Sequence, residues 1–276
     1  MQVIEHCTIG KIGNPDRNED GIFMSPAFAA VIDGCSSIVP PEPFQKSSGV
    51  IARELIGEAL AALNPAATKE EAFSALNNAI HSWYEGQGGS GVFEAHPELR
   101  ASAYCAIASV ARREVWVLGD CQALISGRVH THHKRVDSLM EELRAFIIEH
   151  LLLEGYSEAD LLKEPSLVDR QLRPIMALQP AFQNRAEPLS YTYAALDGFF
   201  SAYSAIICIP LTSAPVEVAL ATDGYPKIRS TLEASEEHLM RIIASDPLLY
   251  TEFRSTKGVV GTNRSFDDRS YLRFIV

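Results

Sequence analysis

The chain has 276 residues, 47% of them hydrophobic, and a formal net charge of −11 from 24 basic and 35 acidic side chains. That apolar fraction excludes a disordered chain, and a chain of this size fills a core without disulfides or structural metal. The acidic balance repels nucleic acid and anionic membrane, so neither is expected as a partner.

The first residues, Met1 to His6, lack the basic-then-apolar layout of an export signal, and the most apolar run, Ala205 to Leu211, is far too short to span a bilayer. Five cysteines (Cys7, Cys35, Cys105, Cys121 and Cys208) form no C-x-x-C pair. An odd number of thiols without metal spacing points to a reducing compartment, so a soluble, cytoplasmic protein is expected. No repeat or low-complexity linker divides the chain, and a single domain over residues 1–276 is expected.

Strands are predicted at 2–9, 21–25 and 28–32, where Val, Ile and Phe gather between turn residues. Pro40–Pro41–Glu42–Pro43 reads as a loop. Helices are predicted at 46–63, from Val50, Ile51, Leu55, Ala59 and Leu63, and at 69–84, from Ala72, Leu76, Ala79, Ile80 and Trp83. Thr68 three residues before Glu71 predicts a capping box on the second. The glycines between 86 and 91 read as a flexible loop, lacking the Lys–Ser/Thr ending of a phosphate-binding loop.

Strands follow at 102–110, 114–118 and 123–126, with Arg112–Arg113 as a hairpin connection. The stretch from His130 to Arg135 reads as a solvated basic turn rather than a histidine metal site. Leu139, Leu143, Phe146, Ile147 and Leu151 predict a helix at 136–153, and another is predicted at 158–178. The last strands are predicted at 191–196, 204–210, 216–221 and 269–276, with Asp197–Gly198 as a turn. Strand groups separated by helix pairs exclude simple β-α-β alternation and predict an α+β fold of antiparallel sheets faced by helices.

Carboxylates recur at the strand ends, several followed by glycine: Glu19–Asp20–Gly21, Asp33–Gly34, Asp223–Gly224, Asp267–Asp268 and, more weakly, Gly119–Asp120. A strand end fixes a side chain at the sheet rim, and glycine allows close approach to the backbone. Carboxylate oxygens are hard donors suited to Mg²⁺ or Mn²⁺. Gathered at one rim they repel one another, and a divalent cation removes that cost. Any one Asp–Gly pair is more often a turn than a ligand; the ordered set carries the expectation.

That set resembles the protein phosphatase 2C-like family of metal-dependent phosphatases. Asn18–Glu19–Asp20, Val31–Ile32–Asp33–Gly34, Leu118–Gly119–Asp120, Ala221–Thr222–Asp223–Gly224 and Phe266–Asp267–Asp268 stand in family order. The resemblance implies a four-layer α-β-β-α sandwich of two mostly antiparallel sheets, with a dinuclear Mn²⁺ or Mg²⁺ site at one end. By position, Asp33 would bridge the two ions and the Gly34 carbonyl would ligate one. Asp223 and Asp267 would hold the first ion, and Glu19 or Asp20 the second, directly or through water. Asp120 would bind a weaker third ion. Asp33, Asp223 and Asp267 are thus the candidate catalytic residues.

The family often carries a phosphate-gripping Arg where this chain has Pro15; Arg17, two residues on, is the candidate for that role. Cys35 stands where many members have His, and Lys227 falls near a usual second Asp and reads as a surface residue. The implied function is phosphomonoester hydrolysis through a metal-bridging hydroxide, with phosphoserine or phosphothreonine in proteins as substrate. The alternatives are a phosphatase of a small phosphorylated metabolite and a catalytically degenerate regulatory module.

Overall fold

The computed structural model describes residues 1–37, 46–213 and 215–276; the loop expected at Pro40 to Pro43 lies outside them. Strands β1 (Gln2–Ile9), β2 (Asp20–Met24) and β3 (Phe28–Cys35) lead into helices α1 (Ser48–Ala62), α2 (Lys69–Gly86) and the short α3 (Gly91–Ala95). Strands β4 (Ser102–Ser109), β5 (Glu114–Leu118), β6 (Gln122–Ile125) and β7 (Arg128–His130) follow. Then come α4 (Arg135–Leu153), α5 (Glu158–Lys163), α6 (Ser166–Met176), β8 (Ile207–Pro210), β9 (Glu217–Ala221), α7 (Leu232–Ser245) and β10 (Arg269–Ile275).

Among the described residues the strands form two five-stranded sheets, ordered β1-β10-β9-β6-β7 and β2-β3-β4-β5-β8. Every pairing in both is antiparallel. Side chains from the two inner faces, among them Val31, Ala106, Val117, Val218, Leu220 and Phe274, make the central core. Against the outer face of the β2–β8 sheet, Phe28, Ala30, Ile32 and Trp116 pack on Ile56, Phe73 and Leu76 of α1 and α2. On the other side, Ala219, Ala221 and Tyr271 pack on Leu239 and Ile242 of α7. The layers are therefore α-β-β-α. β3 and β9 are apolar without alternation because both faces of each sheet are covered.

A fourth cluster joins α4, α5 and α6 through Met140, Ile147, Ile148, Leu161, Val168 and Leu172, with Leu248 closing it. It lies apart from the sheets' own cores. The predicted stripe on α4 is rotated. Leu139 and Phe146 face solvent, Phe146 at 68% exposure, while Met140, Arg144 and Ile148 are buried. α4 is apolar on more than one side, and its contacts with α6 decide which side is covered.

Other expectations change for local reasons. The helix expected over 158–178 is two helices, broken where Pro165 follows Glu164. Residues 191–196 make only isolated bridges, Gln183 with Tyr193 and Ala103 with Leu196. Asp197–Gly198 is no hairpin turn: the Asp197 carboxylate is fully buried and accepts from Arg100, Gln183, Asn184 and the Phe199 amide at 2.6–2.9 Å. α7 was not expected; its signal is the Thr231 N-cap ahead of Leu239 and Ile242. The capping box of Thr68 and Glu71 is present on α2.

Candidate metal centre

Antiparallel pairing brings the acidic stations to one edge of the sandwich. Asp20 opens β2 opposite Asp33 near the end of β3. Asp120 lies in the connection from β5 to β6, Asp223 just past β9, and Asp267 just before β10. Oxygens of Asp33, Asp120 and Asp223 converge within 4.8 Å of one another. All three line a cavity of about 440 Å³, together with Gly34, Cys35, Tyr104 and Lys257.

The backbone around them leaves little freedom. A Cβ on Gly34 would strike the carbonyl oxygen of Gly49 at the start of α1, and one on Gly224 would strike that of Asp268. The glycines after Asp33 and Asp223 thus allow two segments to close behind the carboxylates. Gln122 donates to the Tyr225 carbonyl at 2.7 Å and accepts from the Ile228 amide at 2.9 Å, so β6 holds the loop that follows Asp223. Asp268 accepts the amides of Lys11 at 2.7 Å and Glu19 at 2.8 Å, which ties the β1–β2 connection to β10. Asp268 therefore organises backbone rather than facing the cavity.

Electrostatics show the strain of like charges. Burial, then Asp223, Asp20 and Asp120, push Asp33 well above the usual carboxylate range. Burial, then Asp267 and Asp120, push Asp223 up to about 7. Asp20 is raised well above its usual range, chiefly by burial and despite a hydrogen bond from Thr222. Asp267 behaves oppositely. Burial acts to raise it, but Lys257 and Lys11 outweigh burial and hold it down to about 2. Lys11 Nζ lies 2.8 Å from Asp267 Oδ1, and Lys257 Nζ pairs with Oδ2.

The residues fit a divalent cation. Among the described residues, Glu19 Oε1, Asp20 Oδ2 and Asp120 Oδ1 are buried without a hydrogen-bond partner. A buried carboxylate oxygen without a partner is costly, and an ion at this rim satisfies it. The other Glu19 oxygen accepts from Ser36 Oγ.

The sequence-expected residues divide as follows. Asp33, Asp120 and Asp223 meet; the charges of Asp267 and Asp223 help to raise Asp20. Gly34 lines the cavity, and Glu19 lies behind it against Gly49. Asp267 is close enough to raise Asp223, but lysines occupy both its oxygens. Arg17 is exposed on a 3₁₀ turn, Pro15–Arg17, and does not line the cavity. Lys227 is exposed as expected. The Cys35 thiol, pushed up by burial and then by Asp33, stays protonated.

Sequence reasoning missed the lysines. Lys134, expected in a solvated turn, is buried, 2.7 Å from Asp120 and 3.0 Å from Asp137, with its ammonium 3.8 Å from the Tyr104 ring centre. Its partner Asp120 stands fourteen positions earlier, so no local pattern marks it. Lys11 and Lys257 stand outside every predicted strand and helix.

No family profile and no curated protein matches the chain. Among solved structures, it is similar to the catalytic domain of the serine/threonine protein phosphatase PstP in complex with two manganese ions, at 13% identity over 100% of both chains and a TM-score of 0.47. It is also similar to the serine/threonine phosphatase PstP/Ppp of Mycobacterium tuberculosis, at 14% identity, 99% of this chain, 98% of that one and a TM-score of 0.46. Stp1 of Staphylococcus aureus aligns at 14% identity over 100% of this chain and 95% of its own, with a TM-score of 0.45. The chemistry of the site therefore stands on the carboxylates themselves.

Proposed function

We propose that this chain is a metal-dependent phosphomonoester hydrolase, a single catalytic domain with a Mn²⁺ or Mg²⁺ centre held by Asp33, Asp120 and Asp223. The observation that carries this is the convergence of those three carboxylates at the rim of an open cavity, with buried carboxylate oxygens around them that find no partner among the described residues. Asp20 and Glu19 stand next in line as ligands, directly or through water. Bound there, divalent ions supply Lewis-acid neutralisation of phosphoryl charge and lower the pKa of water.

The chain's own groups do the rest. Asp33, paired rigidly against β2 and β4, fixes the centre relative to the sheet. Lys134 balances Asp120 and braces it on Tyr104, which limits how far that carboxylate can swing. The open side of the cavity admits the phosphorylated group. Hydrolysis then breaks the ester P–O bond as water oxygen bonds to phosphorus. The attacking water gives up one proton and the departing alkoxide takes one up, so that the free alcohol and inorganic phosphate remain.

Phosphoserine and phosphothreonine of proteins are the proposed substrates, in line with the sequence resemblance, and small phosphoesters are the competing class. Five cysteines, all free, support a reducing compartment such as the cytoplasm. Among the described residues no helix is long and apolar enough to cross a membrane.

The test is Mn²⁺-dependent hydrolysis of p-nitrophenyl phosphate and of a phosphopeptide panel, with Mn²⁺ titration calorimetry alongside. Asp33→Asn should lower kcat/KM by about 100-fold or more and weaken Mn²⁺ binding in parallel. A wild-type protein inactive on every phosphoester, or an Asp33→Asn variant that binds Mn²⁺ as wild type does, would overturn the assignment.

A further inference from the structure

The hydrolase reading leaves open what grips the phosphoryl group, since Arg17 lies off the cavity. Among the described residues, five Lys and Arg side chains line it: Lys11, Arg100, Lys134, Arg173 and Lys257. Arg100 is buried and already donates to the carbonyls of Phe93 and Glu94 and to Asp197. Lys134 is buried between Asp120 and Asp137. Arg173, in the last turn of α6, is not among the charges acting most strongly on Asp33, Asp223 or Asp267.

Lys257 differs on each count. Its side chain is 48% exposed, and its charge acts on both Asp223 and Asp267. The loop that carries it is secured from two sides. Asp246 accepts the amides of Tyr250, Thr251 and Glu252 at 2.8–3.2 Å. From α4, the buried Arg144 donates to the carbonyls of Leu248, Leu249 and Ser255 at 2.8–3.3 Å. Lys257's own amide donates to Ser255 Oγ at 3.2 Å. A loop fixed in this way places an ammonium reproducibly.

We propose that Lys257, steadied with Lys11 on Asp267, takes the phosphoryl oxygens of the substrate, in place of a guanidinium near residue 15. Two ammonium groups against one carboxylate leave this spot with one net positive charge beside an acidic triad. An ammonium has three donors, so the bond to Asp267 leaves Lys257 two for phosphoryl oxygens. As a point charge on a flexible stem, it accepts a range of phosphate orientations that a planar guanidinium does not. The ligand class is the phosphomonoester dianion, with inorganic phosphate as product and competitor. This rests on the hydrolase reading above.

The experiment is calorimetric titration of inorganic phosphate into the Mn²⁺-loaded protein, with steady-state kinetics on p-nitrophenyl phosphate, for wild type, Lys257→Gln and Lys257→Arg. Removing one charged hydrogen bond should weaken phosphate binding by about tenfold or more in Lys257→Gln. KM should rise in step, kcat should change much less, and Mn²⁺ affinity should hold. Lys257→Arg, which keeps the charge, should recover most of the phosphate affinity. Wild-type phosphate affinity and KM in Lys257→Gln would refute the role. So would tighter Mn²⁺ binding with phosphate affinity unchanged, which would make Lys257 a mere counter-ion of Asp267, or an absence of phosphate binding by wild type. A wild type that binds phosphate yet hydrolyses no ester would remove the hydrolase reading, and the Lys257→Gln titration would still decide the lysine's role.

Discussion

Single buried carboxylates in this molecule differ in whether hydrogen-bond donors reach them. Asp197 is fully buried, and its two oxygens accept four hydrogen bonds, one from the Arg100 guanidinium at 2.9 Å. Every donor is matched, so it behaves as a structural tie between the chain before β4 and the segment after residue 183. Removing one partner leaves an uncompensated buried cation. Asp197→Ala is therefore expected to lose about 3–5 kcal/mol of stability, read as a shift of the urea midpoint, with Mn²⁺ binding retained at low urea. Asp20 and Asp120 are the opposite case, each with a buried oxygen that has no partner among the described residues. Both are Asp beside Gly in the sequence, as is Asp197, so the neighbouring residues do not separate the two kinds. What separates them is whether donors from distant segments arrive.

At the scale of elements, α4 joins the helical cluster to the cavity. Its N-terminal flank supplies Lys134 to Asp120, and its middle supplies Arg144 to the loop that carries Lys257. The face it buries is set by these duties and by Ile147, Ile148 and Leu151. Phe146, 68% exposed, takes no part. Phe146→Ser should change stability by no more than about 0.5 kcal/mol, whereas Ile148→Ala should cost about 2–5 kcal/mol. Thermal unfolding of the two variants checks this. Equal effects would mean that the helix sits in the rotation its periodicity first suggested.

For the molecule as a whole, crowding of carboxylates at one rim costs stability wherever they ionise together. Asp223 is pushed up to about 7, and Asp33 and Asp20 are raised as well. A raised carboxylate means that the folded metal-free protein binds more protons than the unfolded chain above the ordinary carboxylate pKa. Stability therefore falls as pH rises from the ordinary range, about 4, toward 7. Asp267, held down to about 2, has the opposite sign, but its contribution is complete once pH exceeds the ordinary value. Urea unfolding in chelator should accordingly show greater stability near pH 5 than near pH 7.5. Mn²⁺ at about 100 times its dissociation constant should restore about 2.7 kcal/mol at the higher pH. A metal-free protein equally stable at both values would contradict this distribution of charge.

The layered architecture and the run of acidic strand ends were legible in the amino-acid sequence alone. Strands covered on both faces must be continuously apolar, as at β3 and β9, and helices must repeat every three to four residues, so both can be read from short windows. The acidic stations were legible for the same reason: each sits at the boundary of such a window. Tertiary structure alone decided which carboxylates meet, which face of α4 is buried, and where the cations stand. Asp33, Asp120 and Asp223 converge because antiparallel pairing turns three distant strand ends to one edge. Lys11 and Lys257, 246 positions apart, meet on one carboxylate. Charge pairing acts through space between side chains that no local periodicity relates, so it becomes visible only when the sheets have formed.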